Sequence, residues 1–222
     1  MRVIVLGAAG LLGREVVREV SARGNEVTAF VRRPPTLAFD KRVRIETGDA
    51  RELASVSRVI EGHDAVVNTI GGGTLGWNDV ESSTTTIAVN AARNVGVRRY
   101  IAMSAGMVAL EPPISLLFRF VLRPLLFEHI YAEHLRVEAI VRASMLLWTI
   151  VRPPRLTGRP PRGYIASLER QKGCLSASRA DVAAFIATEI ERNEYVCRAA
   201  FIASRLSHLG NVSKFQNEGR TR

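Results

Sequence analysis

The sequence predicts an α/β fold in a single domain: a doubly wound parallel sheet with helices on both faces. Three observations lead there. Strand-like and helix-like segments alternate through most of the 222 residues, the order that produces parallel strands joined by crossover helices. The first strand-like segment, residues 2–6 (RVIVL), is a short apolar run rich in β-branched residues, as expected of a strand buried on both faces. Glycines stand just past several helices, where the backbone must turn back.

Residues 2–6 (RVIVL) open the chain as a strand. Residues 11–23 follow with helical spacing, because Leu11, Leu12, Val16, Val17 and Val20 share one side and Gly24 stops the run. Residues 26–31 (EVTAFV) are the second strand and 43–46 a shorter third. A helix is predicted over 51–60, with Gly62 beyond it, then a fourth strand over 64–70 (DAVVNTI), broken by the glycines 71–73. A helix over 83–95 ends at Gly96, and 99–103 (RYIAM) forms strand five. The last predicted elements are a helix over 128–144, strand six over 147–151 (LWTIV) and a helix over 178–192. Pro153 and Pro154 end strand six at once. The domain is expected to span 1–206, with 207–222 a polar, basic, fraying tail. One segment, 114–127 (ISLLFRFVLRPLLF), is apolar but carries Arg119, Arg123 and Pro124. It is too short and too charged to span a bilayer, which leaves a lid, a dimer face or an interfacial helix.

Hydrophobic residues make up 47% and charged residues 23%, ordinary values for a chain that builds its own core. Two cysteines are no disulfide framework, and no Cys/His cluster points to a metal. A reduced, cytoplasmic setting is expected, and no signal peptide precedes the first strand. The net charge of +10 favours anionic ligands, an acidic partner or a membrane surface. It fits equally well with solubility and a cofactor that brings several phosphates. No nucleic-acid motif is present, and a monomer or a homodimer is expected.

The chemistry begins at Gly7-Ala8-Ala9-Gly10-Leu11-Leu12-Gly13, between the first strand and the first helix. In a Rossmann-type unit the first glycine of such a loop makes the tight turn. The second lets the backbone approach a pyrophosphate, and the third lets helix and strand pack closely. The N–H groups of Ala9, Gly10, Leu11, Leu12 and Gly13 then face the phosphates, helped by the positive end of the helix dipole. At the end of strand two stand Arg32 and Arg33. An NAD site carries a carboxylate there for the ribose hydroxyls, whereas guanidinium groups suit the 2′-phosphate of NADP(H). Ligands in open α/β sheets bind beyond the strand C-termini. That adds Asp49, Ala50, Thr69, Ile70, Gly71, Ser104, Ala105, Arg152 and Pro153 to the cofactor candidates. Asp49 either accepts from the adenine amino group or caps a turn.

These residues together resemble the atypical short-chain dehydrogenase/reductase superfamily, in its NAD(P)H-binding, NmrA-like branch. The likeness runs from Met1 to about Ala203 and includes the glycine loop, Val31-Arg32-Arg33, Gly48-Asp49, Trp148-Thr149-Ile150-Val151-Arg152-Pro153 and Ser178-Arg179-Ala180-Asp181. Its later part is similar to the biliverdin-IXβ/flavin reductase group. The resemblance implies NADP(H) and hydride transfer to a flavin, a quinone, a tetrapyrrole or another carbonyl-type acceptor. The chain departs from the superfamily at Tyr-x-x-x-Lys: Tyr131 is followed at that offset by Leu135, Tyr100 by Ser104, Tyr164 by Leu168 and Tyr195 by Ala199. The flavin-reductase pattern has Thr-Ser after strand five and a histidine after its Pro-Pro; this chain has Ser104-Ala105 and Arg155. His134 is the counterpart of the other family histidine. The catalytic candidates are therefore Ser104, Tyr131, His134 and Arg155, with a small-molecule acceptor as partner. Two other functions fit the fold: a non-catalytic NADP(H) sensor, and an isomerase or cyclase.

Overall fold

A computed structural model of the chain describes residues 1–34, 39–71, 79–109, 120, 128–171 and 173–205. In chain order the elements are β1 (Arg2–Leu6), α1 (Leu11–Ala22), β2 (Glu26–Val31), β3 (Arg44–Thr47), α2 (Leu53–Ile60), β4 (Ala65–Asn68), α3 (Val80–Asn94) and β5 (Arg99–Met103). A 3₁₀ turn (Gly106–Ala109) comes next. Then follow α4 (Glu128–Arg142), β6 (Leu147–Arg152), β7 (Arg155–Thr157), β8 (Tyr164–Ser167), β9 (Ser176–Ser178), α5 (Arg179–Arg192) and β10 (Arg198–Ser204). The segment 114–127, apart from Phe120, and the tail 207–222 lie outside the described residues.

Among the described residues one sheet runs β3-β2-β1-β4-β5-β6-β10-β8, and β7 and β9 form a separate pair. Seven of its strands are parallel, with Val3 beside Val27 and Ala65, and Ile101 beside Thr149. β8 joins β10 antiparallel at the edge. The order reverses between β1 and β4, which creates the crevice where open α/β sheets take ligands.

Strand alternation divides the core. Val3 and Val5 face α1 and α5, where they meet Val16, Val20, Val182 and Ile186. Ile4 and Leu6 face the opposite layer with Val59, Ile60, Tyr100 and Val141. Each such side chain contributes about 1.5–3 kcal/mol on burial, so both faces carry real stabilisation. Asn68 ties the second layer together by donating to Thr85 Oγ1 (3.2 Å) and Tyr100 Oη (3.0 Å). Burial pushes the Tyr100 phenol well above its ordinary pKa, so it stays neutral.

At the N-terminal edge of the strands, Arg99 is 5% exposed and pairs with Glu189 of α5 at 2.7 Å. Arg99 also donates to Leu147 O and Thr149 Oγ1, both at 2.8 Å. Glu189 accepts in turn from the backbone N–H groups of Glu194 and Tyr195. A buried pair of this kind is held by its accessory hydrogen bonds rather than by Coulomb attraction alone. α5 itself starts at Ser178, whose Oγ accepts from Asp181 N at 3.0 Å, and ends at Asn193 in the left-handed region (φ 55°).

The predicted elements are present with ends shifted by a few residues, the commonest uncertainty of pattern reading. Strands β7 to β10 are additions. β7 and β9 have three residues each and β8 has four, too few for a period to show.

Candidate functional site

The β1–α1 loop has the local chemistry of an anion cradle. Gly7 sits at φ +79°, a conformation that favours glycine. A Cβ on Gly13 would run into the Gly7 carbonyl and approach Ala8 Cα at 2.8 Å and Thr69 Oγ1 at 2.9 Å, so only glycine lets α1 sit this close to β1 and β4. Gly10 differs. It is extended (φ −69°, ψ 163°), and a Cβ there would meet only the Gly7 carbonyl, at 3.2 Å. It is the N-cap of α1, with no side-chain cap and no acidic residue in the first turn. The first-turn N–H groups therefore have neither a capping oxygen nor a nearby carboxylate competing with a bound phosphate. Leu12 is buried in the core, whereas Leu11 is 69% exposed beside the loop.

Sequence reading passed over one neighbour. Arg14, in the second turn of α1, donates from Nε to Ala9 O at 2.9 Å. The bond braces the loop and holds a cation beside it. The signal was an arginine one residue past the glycine motif.

The other cofactor candidates lie where the parallel strands end. Arg32 and Arg33 follow β2 and are exposed. Asp49 follows β3, but its Oδ1 accepts from Arg51 N at 2.9 Å, the geometry of a turn cap. Thr69 closes β4 onto β1, donating from N and Oγ1 to Leu6 O at 2.9 and 2.8 Å. Ile70 N donates to Asn68 Oδ1 at 3.1 Å. Ala50 is half-buried and Gly71 exposed. Together the loops after β1, β2 and β4 fit a dinucleotide: an uncapped helix start for the pyrophosphate, two guanidinium groups for a further phosphate, and small residues along the crevice.

Ser104 and Arg152, read separately from the sequence, belong to one buried cluster around Glu138 of α4. Ser104 Oγ donates to Glu138 Oε1 at 2.8 Å. Arg152 donates to the same carboxylate through both its Nε (2.8 Å) and a terminal nitrogen (2.6 Å), and Arg142 approaches at 3.3 Å. Burial alone would raise the Glu138 pKa. The hydrogen bonds from Arg152 and Ser104 and the positive charges of Arg152 and Arg142 outweigh it, so the carboxyl sits below its ordinary range. Arg152 is thereby neutralised, and the Ser104 proton is engaged. The cluster fixes the ends of β5 and β6 against α4, where Ser104 N also donates to Val151 O at 2.8 Å. Glu138 is not among the site residues expected from the sequence.

Beyond those strand ends lies a cavity of about 470 Å³. Ala105, Gly106 and Met107 line one side, Pro153, Pro154 and Arg155 another, and Ile165 with Phe201–Ala203 the sheet side. Arg170, Gln171, Cys174 and Leu175, from the connection between β8 and β9, complete it. Its walls are mostly apolar, as small-molecule sites are. Arg155 and Ala105 are thus at the cavity. Tyr131 and His134 are elsewhere, half-buried on α4, and His134 Nδ1 lies 3.2 Å from Glu81 Oε2 of α3, out of line for a hydrogen bond. No residue contributed by β8, β10 or the β8–β9 connection was legible as a cavity wall from the sequence.

Among the described residues, no group of three or more His, Cys, Asp or Glu is arranged to hold a metal, and no helix is long and apolar enough to cross a membrane.

The loop geometry sets a testable preference. NADPH is expected to bind about ten-fold or more tightly than NADH, since a charge-assisted contact to the 2′-phosphate contributes about 1.5–3 kcal/mol. Arg32→Ala should remove most of that difference. Fluorescence titration with both dinucleotides measures it, and equal affinities in the unaltered protein would sink the assignment.

Comparison with known proteins agrees with this geometry. The chain is similar to ceramide reductase from Caulobacter vibrioides, 32% identical over 163 residues that cover 70% of this chain and 46% of that protein. It therefore spans less than half the length of that relative. The fold superimposes on the oxidoreductase ylbE from Lactococcus lactis with a TM-score of 0.80 at 18% identity, covering 92% of this chain and 91% of the other. It also superimposes on a short-chain dehydrogenase/reductase from Veillonella parvula, crystallised in complex with NADP, with a TM-score of 0.76 at 18% identity, covering 93% and 96%. Residues 7–193 match the family model described as NAD(P)H-binding. By that match, which takes in the glycine loop and strands β2 to β6, the chain belongs to the NAD(P)H-binding family.

Proposed function

We propose that the protein transfers a hydride from NADPH to a small planar acceptor: a flavin, a quinone, a tetrapyrrole or another carbonyl-type compound. The observation that carries this reading is the apolar cavity beyond the C-terminal ends of β5 and β6, at the same edge of the sheet as the dinucleotide-type loops. The kinship with a ceramide reductase supports the same reaction class.

When bound, the dinucleotide supplies the hydride, and the acceptor takes up one proton as well. The chain's own residues bind and orient. The α1 start holds pyrophosphate, Arg32 and Arg33 hold the 2′-phosphate, and the cavity walls stack a planar acceptor and exclude water. The chain lacks a Tyr-x-x-x-Lys pair. Ser104 Oγ donates its hydrogen bond to Glu138, which leaves its oxygen only as an acceptor, and His134 lies beside Glu81. A reaction governed by stacking needs no dedicated general acid, because solvent can protonate a reduced flavin or quinone.

The test is NADPH oxidation with FMN, riboflavin and a simple quinone. At least one should raise turnover well above the protein-free rate. Ser104→Ala and His134→Ala should each cost about ten-fold or less, against the 10²–10⁴ of a lost general acid or base. If NADPH binds tightly and no acceptor is reduced, the protein is a dinucleotide sensor instead. If Tyr131→Phe alone abolishes turnover, the stacking mechanism fails.

A further inference from the structure

Five arginines around the core and the cavity fall into two groups. Arg99, Arg142 and Arg152, packed in or against the core, are each matched by a carboxylate: Glu189 at 2.7 Å for the first, Glu138 at 3.3 and 2.6 Å for the others. Arg155 and Arg170 both line the cavity, and neither guanidinium forms an ion pair or a hydrogen bond with a described residue. Among the described residues, no lining residue is acidic. Arg155 is exposed and Arg170 half-buried, and both guanidinium groups border the apolar walls. Such a pair is an anion site in waiting. The Gln171 amide adds a neutral donor on the same wall. Most of the remaining described wall, including Met107, Ile165, Leu175 and Phe201, is apolar.

We infer that the cavity takes an amphipathic anion: an apolar, ring-bearing body against Met107, Ile165 and Phe201, with a carboxylate, sulfonate or phosphate held by Arg155 and Arg170. This rests on the reading of the cavity as the acceptor site and narrows it. The net charge of +10 favours the approach of such a ligand.

A matched pair of fluorescent probes separates charge from shape. 8-Anilinonaphthalene-1-sulfonate carries an anionic group, and N-phenyl-1-naphthylamine has the same rings without it. Both are titrated into the full chain saturated with NADP. The sulfonate should bind Arg155→Gln/Arg170→Gln about ten-fold or more weakly than the unaltered protein, the scale of a lost charge-assisted contact. The neutral probe should change less than about two-fold, and added salt should weaken only the sulfonate. Ile165→Trp, which fills the cavity, should displace both. If the double variant does not fold, the two single variants serve, each with a smaller loss of the sulfonate alone.

The proposal is overturned if the sulfonate binds the double variant undiminished, if both probes weaken in parallel, or if Ile165→Trp leaves both in place. Because binding is read without turnover, the two readings fail separately. Reduction of a neutral quinone without charge discrimination removes only the anion assignment. Charge discrimination without reduction of any acceptor removes only the reductase.

Discussion

A Gly10→Val variant is expected to lose NADPH binding by about 100-fold or more while keeping its fold, because the valine would occupy the approach of the pyrophosphate to the backbone. The structure gives the reason for this asymmetry. Gly10 has an ordinary extended conformation, and the nearest obstacle to a Cβ is one carbonyl at 3.2 Å. Stability should fall by only about 1 kcal/mol, the scale of a poorer N-cap. Gly13→Val is the control. Its side chain would be driven into the Gly7 carbonyl and the Ala8 backbone, so both binding and stability should suffer, the latter by about 1–3 kcal/mol from overpacking. Titration with NADPH and thermal melts of the two variants measure this. A Gly10→Val protein that binds normally would mean that the phosphates lie elsewhere.

The second large effect concerns Glu138. Glu138→Ala removes the carboxylate that holds Arg152 from two nitrogens and also accepts from Ser104. Breaking a buried pair by deleting one partner costs about 3–5 kcal/mol, because the remaining charge is left unmatched. Arg142, half-exposed, can turn to solvent; Arg152, 13% exposed, cannot do so easily. The folded-state pKa of Glu138 is depressed, so its contribution is present above the ordinary glutamate value near 4.5 and is lost as pH falls through the folded value. Urea denaturation at pH 7 should show the full deficit. A series toward pH 3 should show the gap between the unaltered protein and Glu138→Gln closing. A gap that stays constant with pH would mean that Glu138 is not ionised in the folded state.

Much of the sheet could be read before any coordinates. Strands β1, β2, β4, β5 and β6 announced themselves as largely apolar runs of four to six residues, whereas β3 (RIET) is polar and mostly exposed; the glycine loop marked where β1 hands over to α1. The site was less legible, for physical reasons. β8 and β10 build a cavity wall, but β8 is short and half-buried throughout, so neither period nor composition separates it from loop. Arg170, Gln171 and Cys174 reach the cavity from a connecting segment, through tertiary packing alone. Ser104, Glu138 and Arg152 are far apart in sequence, and only the packing of α4 on β5 and β6 makes them one cluster. Tyr131 and His134 illustrate the converse. They stand three residues apart on one face of α4, but spacing cannot say that this stretch of α4 would lie against α3.

The central claim is that an acceptor sits in the cavity beyond β5 and β6 while NADPH occupies the loops beside it. The most direct measurement is steady-state NADPH oxidation with 1,4-naphthoquinone, comparing the unaltered protein with Ile165→Trp. Tryptophan at 165 fills acceptor space on β8 and lies away from the glycine loop. The account predicts that kcat/KM for the quinone falls about ten-fold or more, the effect of misplacing a reactant, while the NADPH dissociation constant stays unchanged. Undiminished turnover in Ile165→Trp, or a loss of NADPH affinity in its place, would contradict it.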